Sequence, residues 1–357
     1  MADREAAPEL RVLYANPSGG CNLRCRHCWV ASGPPGQTGT RPRARNELTA
    51  GAWGGILDEA VLLGLSWVKF TGGEPLARDD FASVYEEASS RGLRTIVETN
   101  GTLQPGGLWE AWRSSPPSFV AVSLDSADES EHDGFRGVPG SWRRTMGFIE
   151  ALRSAGITLQ LITSLEELDM QRVRGMAELA ERVGASTLSL TPVQPLGRAV
   201  GRAADRFPIE ELVGFLKEVD RSFGPRVVVN APPVFRSARR LVNLSTCPVL
   251  NLLGILPDGV ISFCGIGFTR ADLRMGDATV PGTLERVWKS HPLVLGLRES
   301  LLGPRSEPCG SCFFRLSCMG DCVMQNYARE GDFAAPGWVC KAAWEAGILP
   351  SSRRLLD

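Results

Sequence analysis

Strand-like and helical segments alternate along residues 10–220, and this alternation restricts the fold more than any other feature of the sequence. Apolar runs such as residues 67–70 and 119–125 are each followed by a helical pattern of about 10 to 15 residues. Such alternation predicts parallel strands joined by right-handed crossovers. Because about six of these units are present, we expect an α/β fold built as a partial (β/α)6 barrel that resembles a TIM barrel.

Polar residues follow several of the predicted strands. The second strand leads into a Gly-Gly-Glu-Pro sequence at residues 72–75, which alone is also compatible with an ordinary turn between a strand and a helix. Glu98, Asp125 and Gln160 would point from strand ends or into the barrel. Because the carboxyl ends of the strands form the active face of a parallel barrel, these three are candidate catalytic residues and substrate contacts.

Three cysteines follow the first predicted strand within eight residues: Cys21, Cys25 and Cys28. Disulfides among three thiols always leave one sulfur over, whereas thiolates ligate the iron corners of a cubane cluster well. Three protein ligands on four irons leave one iron free to bind and reduce a ligand. A zinc site with His27 as the fourth ligand is the alternative interpretation. A surface loop is expected at residues 33–45.

Seven of the ten cysteines lie after residue 246, where the alternation stops. A Pro-Asp-Gly sequence at residues 257–259 between two apolar runs predicts a β-hairpin in this region. We therefore expect an N-terminal tail at residues 1–9, a barrel domain at 10–235 and a cysteine-rich domain of hairpin and short helices at 236–357. One or two zinc knuckles are the alternative interpretation of the C-terminal thiols.

Composition excludes several classes of function. The net charge of −1 and the pI of about 6.4 give no global basic field that would attract nucleic acid or a membrane surface. The N-terminus has no apolar core of the signal-peptide type, and no window approaches the roughly 20 apolar residues that span a bilayer. Ten cysteines without a secretion signal predict reduced thiols in the cytoplasm.

The cysteine loop, its trailing aromatic Trp29 and the Gly-Gly-Glu-Pro sequence one βα unit later resemble the radical S-adenosylmethionine superfamily. Residues 99–101, 123–125, 132–137 and 140–142 resemble later segments of the same superfamily. The resemblance implies that the three N-terminal cysteines hold a [4Fe-4S] cluster whose open iron binds S-adenosylmethionine. One electron then cleaves the cofactor to a 5′-deoxyadenosyl radical, which abstracts a hydrogen atom from the substrate.

The resemblance also implies which residues bind S-adenosylmethionine. They are Gly72, Gly73, Glu74, Asn100, Ser123 and Arg144. Residues 72–74 would bind the methionine ammonium, and Ser123 the ribose or the methionine part, with Asn100 near the same face. Arg144 would meet the carboxylate, although a solvated helix arginine is an equally good explanation of that residue.

The spacing of the seven C-terminal cysteines resembles the SPASM extension of peptide-modifying radical enzymes, which implies two auxiliary [4Fe-4S] clusters and three clusters in total. The first auxiliary cluster would use Cys247, Cys264 and Cys322; the second would use Cys309, Cys312, Cys318 and Cys340. Two cubanes take eight ligands and only seven cysteines remain. We therefore expect one iron of the first auxiliary cluster to be vacant, bound by substrate or held by a non-cysteine group.

The cysteine count also bears on the reaction. All ten cysteines are assigned to clusters, so none is spare to quench a radical in an epimerase, and an oxidative outcome such as a cross-link or a dehydrogenation is favoured. The favoured substrate is a ribosomally synthesised peptide, by analogy with other SPASM enzymes. Since the first strand begins near residue 11, we expect a separate leader-binding protein or another way of gripping the peptide.

A reductase, a flavodoxin or a ferredoxin is the expected electron donor. The alternative substrate is a small molecule, such as a tetrapyrrole, a sugar or an antibiotic precursor. From a different class, the chain would be a non-catalytic iron–sulfur electron relay or a zinc-binding module.

Overall fold

The fold is described from a computed structural model. It covers residues 7–30, 43–201, 204–237, 241 and 247–355 of the 357-residue chain. Most of the predicted N-terminal tail and most of the surface loop expected at residues 33–45 lie outside the described residues.

Parallel strands alternate with helices as predicted. The described residues contain seven such strands: β1 (Val12–Ser18), β2 (Trp67–Gly72), β3 (Arg94–Thr99), β4 (Phe119–Ser123), β5 (Leu159–Leu165), β6 (Thr187–Pro192) and β7 (Val227–Val229). The helices between and after them are α1 (Ala50–Leu62), α2 (Phe81–Ser89), α3 (Leu108–Ser114), α4 (Glu129–Arg136), α5 (Ser141–Ser154), α6 (Met170–Arg182) and α7 (Ile209–Ser222). Each strand pairs in parallel with the next along the chain, which confirms the α/β partial barrel.

The two faces of this sheet differ in burial. Along β5, every second side chain, beginning with Leu159 and Leu161, is buried, and the residues between them are half-buried. The buried face packs against helices such as α1, whose Trp53 and Ile56 are almost fully enclosed. Because successive strand residues point to opposite faces, the half-buried set, which includes Gln160, lines the interior of the barrel.

The cysteine-rich region continues the same sheet. β8 (Leu252–Ile255) and β9 (Val260–Ser262) form the predicted antiparallel hairpin, and β8 pairs in parallel with β1. A short strand, β10 (Gly276–Asp277), pairs with β9 and ends the described sheet, whose order is β10-β9-β8-β1-β2-β3-β4-β5-β6-β7. Main-chain hydrogen bonds therefore hold the start of the C-terminal region against the first barrel strand.

Short helices follow the hairpin. They are α8 (Thr283–Ser290), α9 (Pro292–Leu302), α10 (Arg315–Cys318), α11 (Val323–Glu330) and α12 (Trp338–Glu345). His291 caps α9, because its Nδ1 accepts a hydrogen bond from the Leu293 N–H at 3.2 Å. In the described parts of the chain, no helix has the length and apolar character needed to cross a bilayer.

Candidate active site

The three N-terminal thiols lie together in the loop that follows β1. Cys25 is buried, and Cys21 and Cys28 are half-buried. Burial, with the nearby charges of Glu74, Cys25 and Cys28, raises the pKa of the Cys21 thiol to about 12. The Leu23 N–H donates to Cys21 Sγ at 3.4 Å. Thiolates at such a site need a positively charged partner, and iron is one that soft sulfur ligands accept.

The C-terminal end of α4 is hydrogen-bonded to this loop. The Arg24 N–H donates to the Arg136 carbonyl at 2.9 Å, and the Arg26 N–H donates to the Phe135 carbonyl at 3.1 Å. Gly137 ends the helix with a φ of 72°, and a Cβ there would lie 2.8 Å from the Arg24 carbonyl oxygen. The close approach of two main chains therefore requires glycine at this position.

Arg136 also joins a cysteine to a buried carboxylate. Its Nη1 lies 3.6 Å from Cys25 Sγ, and its Nε donates to Asp125 Oδ2 at 2.5 Å. Asp125 Oδ1 accepts from the Ser164 N–H at 2.9 Å. Burial alone would raise the pKa of Asp125, but the Arg136 guanidinium holds it below its usual value. Asp125 is fully enclosed, and its carboxylate supports the cysteine loop through Arg136.

The Gly-Gly-Glu-Pro segment runs beside the end of β1. The Gly73 N–H donates to the Ser18 carbonyl at 2.9 Å, and the Glu74 N–H donates to the Gly20 carbonyl at 2.8 Å. A Cβ on Gly73 would lie 2.2 Å from the Gly20 oxygen, and Gly72 has a φ of 114°. Only glycines allow this segment to approach the entrance of the cysteine loop so closely.

The Glu74 side chain points into the protein and ties two strand ends together. Its Oε1 accepts from the Leu76 N–H at 3.0 Å and from Thr99 Oγ1 at 2.7 Å, and its Oε2 accepts from the Asn100 N–H at 2.7 Å. Burial raises the pKa of Glu74 to about 7 in spite of these donors. The carboxylate therefore fixes the end of β2 against the end of β3.

Asn100 extends this connection to the cysteine loop. Its Nδ2 donates to Asn22 Oδ1 at 3.0 Å and lies 3.8 Å from Cys21 Sγ. Its Oδ1 accepts from the Thr102 N–H at 2.9 Å, and Thr102 Oγ1 accepts from Asn22 Nδ2 at 2.8 Å. This buried network holds Cys21 against the end of β3.

The C-terminal thiols form two further groups. Cys247, Cys264 and Cys322 lie close enough together that the charges of the first two raise the pKa of the third. Cys309, Cys312, Cys318 and Cys340 line one small pocket, and burial together with the charges of the other three raises the pKa of Cys340. The resemblance implies these two sets as ligands of the auxiliary clusters, and that assignment stays a prediction.

Main-chain donors point at sulfur in both groups. The Ile266 N–H lies 3.4 Å from Cys264 Sγ, and the Asp321 N–H lies 3.2 Å from Cys318 Sγ. Hydrogen bonds to sulfur stabilise thiolates and tune iron–sulfur clusters, so the donor sets fit this kind of cofactor. The described residues contain no three His, Cys, Asp or Glu side chains that converge on one metal ion. Thiolates of a cubane bind different irons and need no such convergence.

Residues 15–180 match the family model of the radical SAM superfamily. These residues form a radical SAM domain. The cofactors of the chain accordingly include a [4Fe-4S] cluster and S-adenosylmethionine, and the chain is an enzyme.

Similarity to other radical SAM proteins extends over nearly the whole chain. The AdoMet-dependent heme synthase of Methanosarcina barkeri is 28% identical over 90% of this chain and 94% of its own length. The mycofactocin maturase MftC of Mycobacterium tuberculosis is 28% identical over 94% of this chain and 84% of its own. The crystal structure of Streptococcus suis SuiB bound to precursor peptide SuiA shares the fold, with a TM-score of 0.71 at 18% identity over 94% of this chain and 76% of that one.

The described contacts bring only some of the expected cofactor-binding residues to the cysteine loop of the radical SAM enzyme. The 72–74 segment and Asn100 reach it directly. Ser123 is the last residue of β4 and is half-buried on the interior side of the sheet. Arg144 lies in α5, where its Nη2 donates to the Pro139 carbonyl at 3.4 Å. No described hydrogen bond joins either of these two residues to the loop.

A charged pair lies in the interior of the barrel, and only one of its two residues, Glu98, was a candidate from the sequence. Lys69 Nζ lies 2.5 Å from Glu98 Oε1, and Thr71 Oγ1 donates to Glu98 Oε2 at 3.0 Å. The lysine sits 4.8 Å from the ring centroid of Tyr14, and its charge offsets part of the effect of burial, which raises the pKa of the Cys247 thiol to about 11. The pair therefore faces both the barrel interior and the first C-terminal thiol group.

Glu98 and Gln160 lie in one row across the sheet. Glu98 pairs with Ala121 in the register of β3 and β4, and Ala121 pairs with Gln160 in the register of β4 and β5. The side chain between the two longer polar ones is a small alanine. Both are half-buried on the interior face, where a substrate would contact them.

His27 and the segment after β6 complete the surroundings of the cysteine loop. The His27 ring stacks on Phe135 with centroids 4.4 Å apart, and burial lowers its pKa to about 4. The Arg198 N–H donates to the Cys28 carbonyl at 3.0 Å, and its Nε donates to the Cys25 carbonyl at 2.9 Å. Sequence alone did not indicate that residue 198 binds the loop, because nothing in the spacing links positions 170 residues apart.

Proposed function

We propose that this radical SAM enzyme oxidises a ribosomally synthesised peptide, by forming a cross-link or a double bond with the loss of two hydrogens. One observation carries the proposal: the ten thiols fall into three separate groups, and the charged pair Lys69–Glu98 lies beside one of them. An enzyme that only cleaved S-adenosylmethionine would need a single group of cluster-binding thiols. Two further groups suit a reaction that must also remove an electron from its substrate.

Each thiol group would hold one [4Fe-4S] cluster. The radical cluster would be bound by Cys21, Cys25 and Cys28, and the two auxiliary clusters by the C-terminal sets described above. When bound, these groups supply one-electron cleavage of S-adenosylmethionine, which yields a radical that takes a hydrogen atom, and a place for the second electron.

The chain's own residues would orient the cofactor. Close approach of the main chain at residues 72–74 gives a polar edge for the methionine ammonium, and Asn100 borders the same edge. Ser123 and Arg144 complete the proposed cofactor-binding set. Together these residues would exclude water from the bound cofactor, and this would protect the radical from side reactions.

The barrel interior would bind the substrate. Its oxidation by two electrons releases one hydrogen atom, one electron and one proton. The carboxylate of Glu98 is placed to accept that proton, because Lys69 and Thr71 hold it at the interior face. The Gln160 amide, one row away, would donate to or accept from a peptide backbone. Asp125, the third catalytic candidate, would act by positioning the cysteine loop through Arg136.

A peptide is the favoured substrate because the mycofactocin maturase matches almost the full chain. The proposal includes a separate leader-binding protein, and a reductase, flavodoxin or ferredoxin as the electron donor. None of the ten thiols is in a disulfide, which suits the reducing conditions of the cytoplasm.

The test is incubation of the anaerobically reconstituted enzyme with S-adenosylmethionine, a strong reductant and the short peptide encoded beside its gene. A peptide product lighter by two hydrogens, formed with 5′-deoxyadenosine, would support the proposal. An unchanged peptide mass, or a product at the oxidation level of the substrate, would contradict it. Fragmentation of the product would show which residues lost hydrogen.

A tetrapyrrole is the second candidate substrate. The heme synthase of Methanosarcina barkeri matches this chain at the same identity and over 94% of its own length. The same assay with a late tetrapyrrole precursor of heme in place of the peptide separates the two. The substrate class is the one, peptide or tetrapyrrole, that alone raises the rate of 5′-deoxyadenosine formation above the rate without substrate.

A further inference from the structure

Two large apolar side chains are exposed beside the second C-terminal thiol group. Phe313 directly follows Cys312 and is 66% exposed, and Leu316 lies two residues before Cys318 and is 67% exposed. The main chain between the two cysteines turns tightly, because the Arg315 N–H donates to the Cys312 carbonyl at 3.1 Å. Both apolar side chains therefore project from the short turn that carries two of the four thiols.

The last described residues of the chain lie along the same segment. The Leu355 N–H donates to the Ser311 carbonyl at 2.7 Å, and Arg354 forms an isolated antiparallel bridge with Cys312. Leu355 is 39% exposed. This pairing places a third exposed apolar side chain next to the thiol-bearing turn.

Arginines lie among these apolar side chains. Arg315 and Arg354 are exposed, and Arg353 is half-buried. The carboxylate with a described contact to this segment is that of Glu307, which accepts from Ser311 Oγ at 2.6 Å. The surface is therefore positive, although the net charge of the whole chain is −1. We call the following six side chains the basic apolar patch: Phe313, Arg315, Leu316, Arg353, Arg354 and Leu355.

A pair of aromatic rings spans the short path from the basic apolar patch to the thiols. The ring of Phe313 meets the ring of Phe314 edge-on, with centroids 5.3 Å apart. Phe314 is buried, and it lines the small pocket that the four thiols of the second group share. Because electron transfer slows steeply with distance, a cluster held by these thiols would exchange electrons readily with a protein bound to this patch.

The thiol groups also form a series that leads to the radical cluster. Cys318 of the second group and Cys322 of the first are only four residues apart. In the first group, Gly265 follows Cys264 and lies against the ring of Trp29 in the cysteine loop. An electron that enters at the second group therefore has a connected route to the site where S-adenosylmethionine is cleaved.

We propose that the basic apolar patch docks an acidic electron-transfer protein, which exchanges electrons with the cluster of the second C-terminal thiol group. In each productive encounter the reduced donor loses one electron and the enzyme gains it. Redox complexes bury a small area, and complementary charges speed their formation, so a few apolar side chains among arginines suit such a partner. The inference rests on the proposed function, because that proposal assigns a cluster to this thiol group.

Stopped-flow mixing tests the proposal. The full-length reconstituted enzyme is mixed anaerobically with a fully reduced flavodoxin of net negative charge, and the flavodoxin semiquinone is followed by its visible absorbance. Arg315→Glu combined with Arg354→Glu should slow electron transfer about tenfold or more at low salt, because it replaces attraction by repulsion. Added salt should reduce this difference. Phe313→Ser combined with Leu316→Ser should also slow the reaction, with little dependence on salt.

The matched controls are exposed residues of the barrel. Arg153→Glu combined with Arg182→Glu makes the same change in net charge on α5 and α6, and Leu62→Ser removes an exposed apolar side chain from α1. These variants should react with flavodoxin at the rate of the unaltered enzyme. Dithionite is a small reductant that needs no docking surface, so every variant should cleave S-adenosylmethionine at the unaltered rate when dithionite replaces flavodoxin.

Patch variants that accept electrons from flavodoxin as fast as the unaltered enzyme would overturn the inference. The same conclusion would follow if these variants lost self-association or precursor-peptide binding while the flavodoxin rate stayed unchanged, because the patch would then serve a second copy or the substrate. Failure of the proposed function has a different signature: the unaltered enzyme would not form the oxidised peptide even with dithionite.

Discussion

The indole ring of Trp29 lies against the main chain of Gly265, so closely that a Cβ on Gly265 would sit 2.6 Å from Trp29 Cη2. Trp29 follows Cys28 and Gly265 follows Cys264. One side-chain contact therefore joins the loop of the radical cluster to the first C-terminal thiol group. The contact fixes the distance between two sites that the proposed reaction uses in turn.

Gly265→Ala should disturb this contact. The added methyl group has no space unless the indole moves, so we expect a loss of about 1–3 kcal/mol in the free energy of unfolding and a shift in tryptophan emission. Urea titration and fluorescence measure these effects. Gly296→Ala is the control, because a Cβ there has no neighbour within 4 Å and the residue is helical. Equal effects of the two substitutions would show that the ring is free to move.

The buried ion pair of Arg136 and Asp125 should be far more important for stability than an exposed pair nearby. Asp125→Ala leaves a buried guanidinium without its carboxylate, and we expect a loss of about 3–5 kcal/mol in unfolding free energy. Arg143→Ala is the control, because Arg143 is 76% exposed and pairs with Glu129 at the surface. Its effect should stay below about 1 kcal/mol in urea titrations. Similar losses would mean that Asp125 does not support the loop.

Much of the barrel could be predicted from sequence because apolar runs specify its strands. The helix α4 was not predicted, and the reason is physical. Its buried residues are His132, Phe135 and Arg136, so two of the three are polar and no apolar stripe appears. Capping signals were present: Asp128 accepts from the Glu131 N–H, and Gly137 ends the helix.

The roles of single side chains at the site were harder to predict. Glu74 was expected to meet a ligand, whereas its carboxylate accepts three internal hydrogen bonds. The pairing of Lys69 with Glu98 depends on the register of β2 and β3, which the sequence does not specify. The N-terminal thiol group could be expected from the sequence because spacing in a short loop limits which sulfurs meet. The longer-range sets came from the resemblance, and their assignment to clusters stays a prediction.

Glu74 should make the stability of the enzyme depend on pH. Its pKa rises from 4.5 to about 7 on folding, so the folded state favours the protonated acid. Stability relative to Glu74→Gln, which does not titrate, should be greatest below pH 4.5 and should fall by about 3 kcal/mol as pH rises to 7. Above pH 7 the difference should be constant. Urea titrations across this range measure it.

The control for that series is Glu150→Gln. Glu150 is exposed in α5, so this variant makes the same exchange of carboxylate for amide at the protein surface. A difference for Glu74→Gln that stays flat from pH 4.5 to 7 would mean that the three donors outweigh burial and keep the carboxylate ionised.

Removing one thiol group should remove one cluster and leave the others. Replacing Cys21, Cys25 and Cys28 by alanine should lower the iron content by about four per chain and abolish cleavage of S-adenosylmethionine. Replacing Cys309 and Cys340 should cost a similar amount of iron while cleavage continues. Iron and sulfide assays with EPR spectra measure both. Loss of all iron from either variant would show that the groups do not bind their clusters independently.

Glu98→Gln should separate radical formation from substrate oxidation. The amide cannot accept the proton that the oxidised substrate releases, so product formation should fall by about 10²–10⁴-fold while 5′-deoxyadenosine still forms. Because this substitution also leaves the Lys69 charge unpaired, the double variant Lys69→Met with Glu98→Gln tests whether charge alone is responsible. If proton acceptance is the cause, the single and the double variant should lose product equally. The control is Glu110→Gln, which alters an exposed ion pair in α3 and should keep full activity. Recovery of product in the double variant would instead assign the pair to electrostatics, because the defect would then come from an uncompensated cation beside Cys247.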